Sequence, residues 1–202
     1  MKLYLVRHGE TDWNRDRISQ GITDTLLNET GRAQSVRLAE HLGRLSIGAI
    51  YSSPLKRAAQ TAGPIASKSK VEIKYDPDLK EMNQGAIEGK KLDQMVTEFP
   101  EVIAKWLEDP GSVRLPGGET LGEAQERGWS AVKRISESHS DENVIAVSHN
   151  LVILGIICRA ISLDLKHLRK LKQDSTAVNV LEFNNGHCRV LCINDTCHLN
   201  GA

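Results

Sequence analysis

The sequence predicts an α/β fold: three layers, α/β/α, around a mostly parallel central sheet with an antiparallel edge at the C-terminal end. Three observations carry this expectation. Short apolar runs alternate along the chain with segments of helical periodicity, the pattern of strand–helix–strand units. Two of the runs, Leu3-Tyr4-Leu5-Val6 and Val144-Ile145-Ala146-Val147, are apolar almost throughout rather than alternating, as strands covered on both faces must be. Asn184-Asn185-Gly186 separates two further β-like segments, a hairpin signal.

Taken in order, the first strand ends in Arg7-His8-Gly9-Glu10-Thr11, and the next helix begins near Asn28 or Thr30, either of which could cap it. Its apolar positions are Ala33, Val36, Ala39, Leu42 and Leu45. Ala49-Ile50-Tyr51 reads as a buried strand, and Ser52-Ser53-Pro54 turns it into a helix carrying Lys56 and Arg57 in its first turn. A cation there opposes the helix dipole unless it reaches back towards an anion. Residues 71–75 alternate as a strand, Asp76-Pro77-Asp78 breaks it, and Glu81 stands alone in the loop that follows. Helical patterning resumes across Leu92, Met95 and Val96 and again from Val102 to Leu107. The Gly- and Pro-rich residues 111–118 read as a surface loop, a candidate mobile cover for a site. A helix over 119–138 leads into the strand 143–147, which delivers Ser148-His149-Asn150 and a helix over 151–161. Segments 176–183 and 187–193 form the hairpin.

The 202 residues suffice for one domain spanning 1–202. Twenty-six Lys and Arg balance 26 Asp and Glu, so neither a nucleic-acid nor a membrane-surface binder is expected, and any anion site must be a local concentration of positive charge. Strand patterning from residue 2 leaves no room for a signal peptide, so a cytoplasmic location is expected. Four cysteines are too few for a disulfide scaffold. Cys188, Cys192 and Cys197 lie near His187 and His198, but without a Cys-x-x-Cys pair the spacing favours no metal site.

If the strands ending at Val6 and Val147 are neighbours, His8 and His149 meet at one sheet edge with Arg7 and Arg57 beside them. Helix N-termini gather at that edge and favour negative charge. Two arginines and two histidines call for a dianion, and a phosphoryl group matches the planar donor pairs of Arg. With no Walker-type loop and no carboxylate cluster for magnesium, nucleophilic catalysis by an imidazole nitrogen remains.

These residues resemble the histidine phosphatase superfamily, the phosphoglycerate mutase-like fold. The likeness runs through residues 5–14 (Leu-Val-Arg-His-Gly-Glu-Thr-Asp-Trp-Asn), Arg17, Gln20-Gly21, Asp24, Leu26, Gly31, the Ser52-Ser53-Pro54-Leu55-Lys56-Arg57-Ala58 block with Gln60-Thr61-Ala62, Leu79-Lys80-Glu81, Gly85, Glu88-Gly89, residues 117–120 and Val147-Ser148-His149. By that resemblance His8 is the nucleophile that becomes a phosphohistidine, Arg7, Asn14, Arg57 and His149 hold the phosphoryl oxygens, and Glu81 is the general acid and base. Gln20 is a candidate substrate contact. His8 must attack as a neutral ring, so its other nitrogen needs an acceptor such as a loop carbonyl.

No cofactor and no metal are implied. The resemblance implies a metal-independent phosphomonoesterase acting on a small phosphorylated metabolite. Phosphoserine and α-ribazole-5'-phosphate are the leading candidates, with promiscuity common among short members. Residues 194–199 resemble the tail of metal-independent phosphoserine phosphatases, where the C-terminus lies near the site, although Gln84 stands where those enzymes tend to have a histidine. A cofactor-dependent phosphoglycerate mutase is the alternative, disfavoured by the compact interval between Gly89 and Gly118; an inactive protein-binding module would have been expected to lose His8, Arg57 or His149. A homodimer could form through the hairpin edge or the Trp106 region.

Overall fold

The computed structural model of the chain describes residues 1–200. Its elements are β1 (Lys2–Arg7), α1 (Asp12–Arg15), α2 (Glu29–Leu42), β2 (Ile47–Ser52), α3 (Lys56–Ser69), β3 (Ile73–Tyr75), α4 (Leu92–Glu98), α5 (Pro100–Glu108), α6 (Leu121–Ser138), β4 (Asn143–Ser148), α7 (Asn150–Ala160), β5 (Val178–Asn184) and β6 (His187–Asp195), with short 3₁₀ turns between them. The six strands are ordered β3-β2-β4-β1-β5-β6. The first four run parallel, and β5 and β6 add the antiparallel edge. Among the described residues no helix is long and apolar enough to cross a membrane.

The period of two along each strand divides the core into two layers. Leu3, Leu5, Ala49, Val144 and Ala146 face α6 and α7, while Val6, Ile50, Ile145 and Val147 face α2 and α3. Both faces of β1 and β4 are therefore dry, which explains why their sequences are continuously apolar. The turn of the hairpin holds Asn185 and Gly186 at φ 48° and 78°, the left-handed pair that a tight two-residue hairpin needs.

Three expectations are corrected. The buried face of α2 is Gly31, Ser35, Leu38, Ala39 and Leu42, whereas Val36 is 52% exposed and Ala33 is also exposed. A repeat of three drifts around a 3.6-residue helix, and the true face keeps small or polar residues where α2 presses on the first loop. Secondly, residues 111–118 are anchored: Val113 and Leu115 are buried, and the Ala86 and Glu119 amides bond to Pro116 O and Asn83 O at 2.8 Å. Thirdly, residues 197–199 fold against α2, where Arg37 donates to Leu199 O, and none of them lines the site cleft. Of the two surfaces named for a homodimer, Trp106 lines that cleft, while Leu191 and Ile193 stay exposed on the edge strand β6.

Asn28 caps α2 by accepting from the Gly31 amide at 2.8 Å. A Cβ on Gly31 would lie 2.0 Å from Glu10 O, so glycine is what lets the loop after β1 sit on this helix. Gly31→Ala should therefore destabilise by about 1–3 kcal/mol through overpacking against backbone. Urea unfolding checks it, and an unchanged midpoint would show that the loop yields freely.

Candidate active site

The parallel register pairs Arg7 with Ser148, so β1 and β4 end together and release His8 and His149 side by side. Their ring centroids lie 5.1 Å apart. The loop after β1 is held on several sides: the His8 amide donates to Ser148 O at 3.0 Å, the Gly9 amide to Thr61 Oγ1 at 2.9 Å, and the Thr176 amide to His8 O at 3.3 Å.

Both rings are buried, which disfavours their charged forms, and Arg57 and Arg7 add to the effect; each imidazole is held well below the ordinary histidine range. His8 is thus neutral, and its Nδ1 lies 2.7 Å from Gly9 O, the loop carbonyl the sequence called for. The proton sits on Nδ1, and Nε2 keeps its lone pair, which accepts from Arg57 Nε at 3.2 Å. His149 Nε2 lies 2.8 Å from Ser53 Oγ. The hydroxyl accepts from Leu55 N at 3.3 Å, and in the tautomer in which it donates to Nε2 the proton of His149 sits on Nδ1, which is buried and without a partner.

Arg57 enters in the first turn of α3 and is wholly buried. It donates to Thr23 O and Gly21 O, each at 2.7 Å. Arg7 donates to Gln173 O, and its buried Nε has no partner. None of the ion pairs among the described residues involves Arg7 or Arg57. Burial lowers Arg57 to about 10, still charged at neutral pH, so two cations stand ready for an anion.

Glu81 closes the site. Its carboxylate accepts from Met82 N at 2.9 Å and Leu151 N at 3.3 Å, yet burial outweighs these bonds and the two arginines and raises its pKa. Asn14, on α1, faces the cleft while its Oδ1 accepts from the Thr11 amide at 3.2 Å. Gln20 also lines the cleft, with Oε1 accepting from the hydroxyls of Thr11 and Thr25 at 3.0 and 2.7 Å.

All seven residues singled out from the sequence are thus drawn together, but several that support them were not. Glu88 accepts from the amides of Ile22, Thr23 and Gln84 and from the Thr23 hydroxyl, which fixes the loop whose carbonyls hold Arg57. Arg127 spans Asp78 O, Lys80 O and Glu81 O and pairs with Glu119 at 3.0 Å, fixing the backbone at Glu81. Ser53 orients His149. Glu88 and Ser53 were visible only as polar residues inside motifs, and Arg127 lay outside every motif.

Beyond the charged floor, the cleft of about 380 Å³ is walled by Ile87, Leu92, Met95, Ile103, Trp106, Leu107, Leu115 and Leu151, with Arg17, Gln84, Asn150 and Arg169 at its rim. A larger surface cleft, about 650 Å³ beside α1 and the start of α2, contains none of the seven.

The sequence profile of the histidine phosphatase superfamily (branch 1) matches residues 3–196. Phosphoserine phosphatase 1 of Hydrogenobacter thermophilus is 32% identical over 199 residues, covering 98% of this chain and 94% of that protein. Among solved structures, Bacillus stearothermophilus YhfR superposes with a TM-score of 0.94 at 32% identity, covering 98% of both chains. A putative α-ribazole-5'-P phosphatase from Escherichia coli K-12 superposes with a TM-score of 0.88 at 27% identity, covering 96% of both.

The neutral histidines set a pH dependence of stability. Below about pH 6.5 the unfolded chain protonates both rings while the native state does not, so stability falls with pH by up to about 1.4 kcal/mol per unit for each. Glu81, raised, works in the opposite sense as pH falls towards its unfolded value. Urea unfolding at pH 7 and pH 5.5 should show a loss of about 1–2.5 kcal/mol at the lower pH. Glu81→Gln should steepen the loss, and a flat profile would mean that the rings are charged when folded.

Proposed function

The chain belongs to the histidine phosphatase superfamily (branch 1) and is a phosphatase, and from that premise we propose that it hydrolyses small phosphomonoesters through a phosphohistidine on His8 without a metal. One observation carries the reading. The unprotonated Nε2 of a neutral, buried His8 stands against Arg57, within a site whose two arginines have no ion-pair partner.

The chemistry follows in two steps. Nε2 of His8 attacks phosphorus, the N–P bond forms as the P–O bond to the alcohol breaks, and the Glu81 carboxyl gives its proton to the departing oxygen. Water then attacks phosphorus, Glu81 takes its proton, the N–P bond breaks and inorganic phosphate leaves. Arg7, Arg57, Asn14 and Nδ1–H of His149 donate to the non-bridging oxygens, and the N-terminus of α7 adds its dipole at the same place. Fixed donors of this kind need no reorganisation as charge shifts in the transition state.

The leaving-group end favours an alcohol with an apolar or aromatic face. Of the residues lining the cleft only Glu81 is acidic, and it is engaged at the reaction centre, so an ammonium group such as that of phosphoserine meets no dedicated partner. The wall of Leu92, Met95, Ile103 and Trp106 suits an aromatic base instead, which ranks an α-ribazole-5'-phosphate-like ester first. Phosphoserine is the second reading, favoured by the name of the Hydrogenobacter relative and by Arg17 and Arg169, which could meet a carboxylate.

His8→Ala should lose turnover on p-nitrophenyl phosphate and the acid-labile phosphoenzyme trapped by rapid quench; a variant that retains both would refute the nucleophile. His8 must be neutral and Glu81 protonated for the first step, so kcat/KM should peak on the acid side of neutrality. Glu81→Gln should remove the alkaline limb and lower kcat by about 10²–10⁴-fold on poor leaving groups, with a smaller effect on p-nitrophenyl phosphate. Trp106→Ala should raise KM for aromatic esters up to about tenfold and leave phosphoserine unchanged. Phosphoserine as the preferred substrate on a metabolite panel would reverse the ranking, and stimulation by 2,3-bisphosphoglycerate with interconversion of phosphoglycerates would restore the mutase alternative.

A further inference from the structure

The cysteine and histidine residues near the C-terminus play no part in the phosphoryl chemistry, yet some of them gather around a residue that carried no signal in the sequence. His41, in the last turn of α2, meets Asp195 at the end of β6 and Cys197 just beyond it, and their ligand atoms lie within 4.8 Å of one another. Imidazole, carboxylate and thiol together suit a borderline divalent ion such as zinc. Zinc bonds of about 2.0–2.3 Å place tetrahedral ligands roughly 3.3–3.8 Å apart, so the three need close by only about 1 Å.

His198 supplies an independent observation. Its ring centroid lies 5.7 Å from that of His41, and its Nε2 is 3.1 Å from Thr176 Oγ1. The Thr176 hydroxyl also lies 2.7 Å from Ser175 O, and when it donates there it accepts from Nε2–H of His198, the tautomer assigned to this ring. The other nitrogen, Nδ1, is left unprotonated, and it is buried with no hydrogen-bond partner. This is the state of a metal-bound histidine, whose second nitrogen donates to an outer partner. His198 stands outside the 4.8 Å group and would have to turn towards it to become a fourth ligand.

We propose that His41, Asp195, Cys197 and Nδ1 of His198 form a site for one divalent transition-metal ion of the zinc type, which fastens the C-terminal segment to α2. The Cys197 thiol now donates to Asp195 Oδ2 at 3.6 Å. On binding, the S–H bond breaks, sulfur bonds to the metal, and one proton is released for each ion bound, with no change of oxidation state. The segment it would hold has few other ties to the helix, Arg37 to Leu199 O at 3.1 Å among them.

The test uses the full chain, stripped with chelator and titrated with Co²⁺ and then Zn²⁺. Wild type should bind one Co²⁺ with thiolate-to-cobalt charge transfer and tetrahedral d–d bands, Zn²⁺ should displace it, and Zn²⁺ should raise the thermal midpoint. Cys197→Ser should lose the charge-transfer band. Both Cys197→Ser and His41→Gln should weaken binding by at least about 10–100-fold and abolish the thermal shift, while Cys188→Ser and Cys192→Ser keep both. Circular dichroism of the metal-free variants establishes that they fold, since Cys197 is exposed and His41 half-buried. Absence of a thiolate band in wild type, unchanged affinity in Cys197→Ser, or loss of binding in His8→Ala instead would each overturn the assignment.

Discussion

The site depends on keeping the guanidinium of Arg57 in the interior without a carboxylate to neutralise it. A buried unpaired charge is expensive unless its donors are satisfied, and here two go to the carbonyls of Gly21 and Thr23 and a third to His8. Glu88 helps to fix those carbonyls by tying down the amides of the same loop. Glu88 therefore acts on the charge through the loop as well as through its field, without forming an ion pair: its oxygens take backbone donors, while the remaining N–H groups of Arg57 stay available. A direct Glu–Arg pair in its place would have cancelled the field an incoming dianion is to meet.

The same burial shifts three proton affinities together. Desolvation disfavours charge on His8, His149 and Glu81 alike, so it keeps the imidazoles neutral and raises the proton affinity of the carboxyl. The arginines reinforce the first two and oppose the third, so burial and charge act on Glu81 in opposite senses. A bound phosphate dianion would offset the arginines and shift the carboxyl in the same direction as burial does.

How much of this was legible follows from what each residue does alone. His8, Arg57 and His149 could be placed because strands with two dry faces are unmistakable and the sheet edge they end on is fixed by topology. The parallel pairing of β1 with β4 was the one assumption, and the register bears it out. The face of α2 was misjudged because Gly31 and Ser35 are buried for closeness rather than hydrophobicity: Ser35 returns its hydroxyl to Gly31 O at 2.7 Å, and Gly31 meets the Glu10 backbone. Glu88, Arg127 and Ser53 were illegible as supports since their partners are backbone groups or residues remote in sequence, and no periodicity marks such a contact. His41 was hidden for the same reason, being 154 positions from Asp195 (195 minus 41).

The two ends of the cleft are built by different parts of the chain. The floor comes from strand ends and the first turns of α3 and α7, elements locked into both core layers, where a shift of one side chain would disturb the sheet. The apolar wall comes largely from α4 and α5, which lie outside the sheet and bury little of themselves; Ile103 is the one buried residue of α5, and α4 has none. On the proposed reaction, chemistry would thus rest on the part locked into the sheet and the choice of alcohol on a part outside it. That division explains why the reaction can be read from residues spread over the whole chain, whereas the substrate depends on a few apolar side chains in one short stretch.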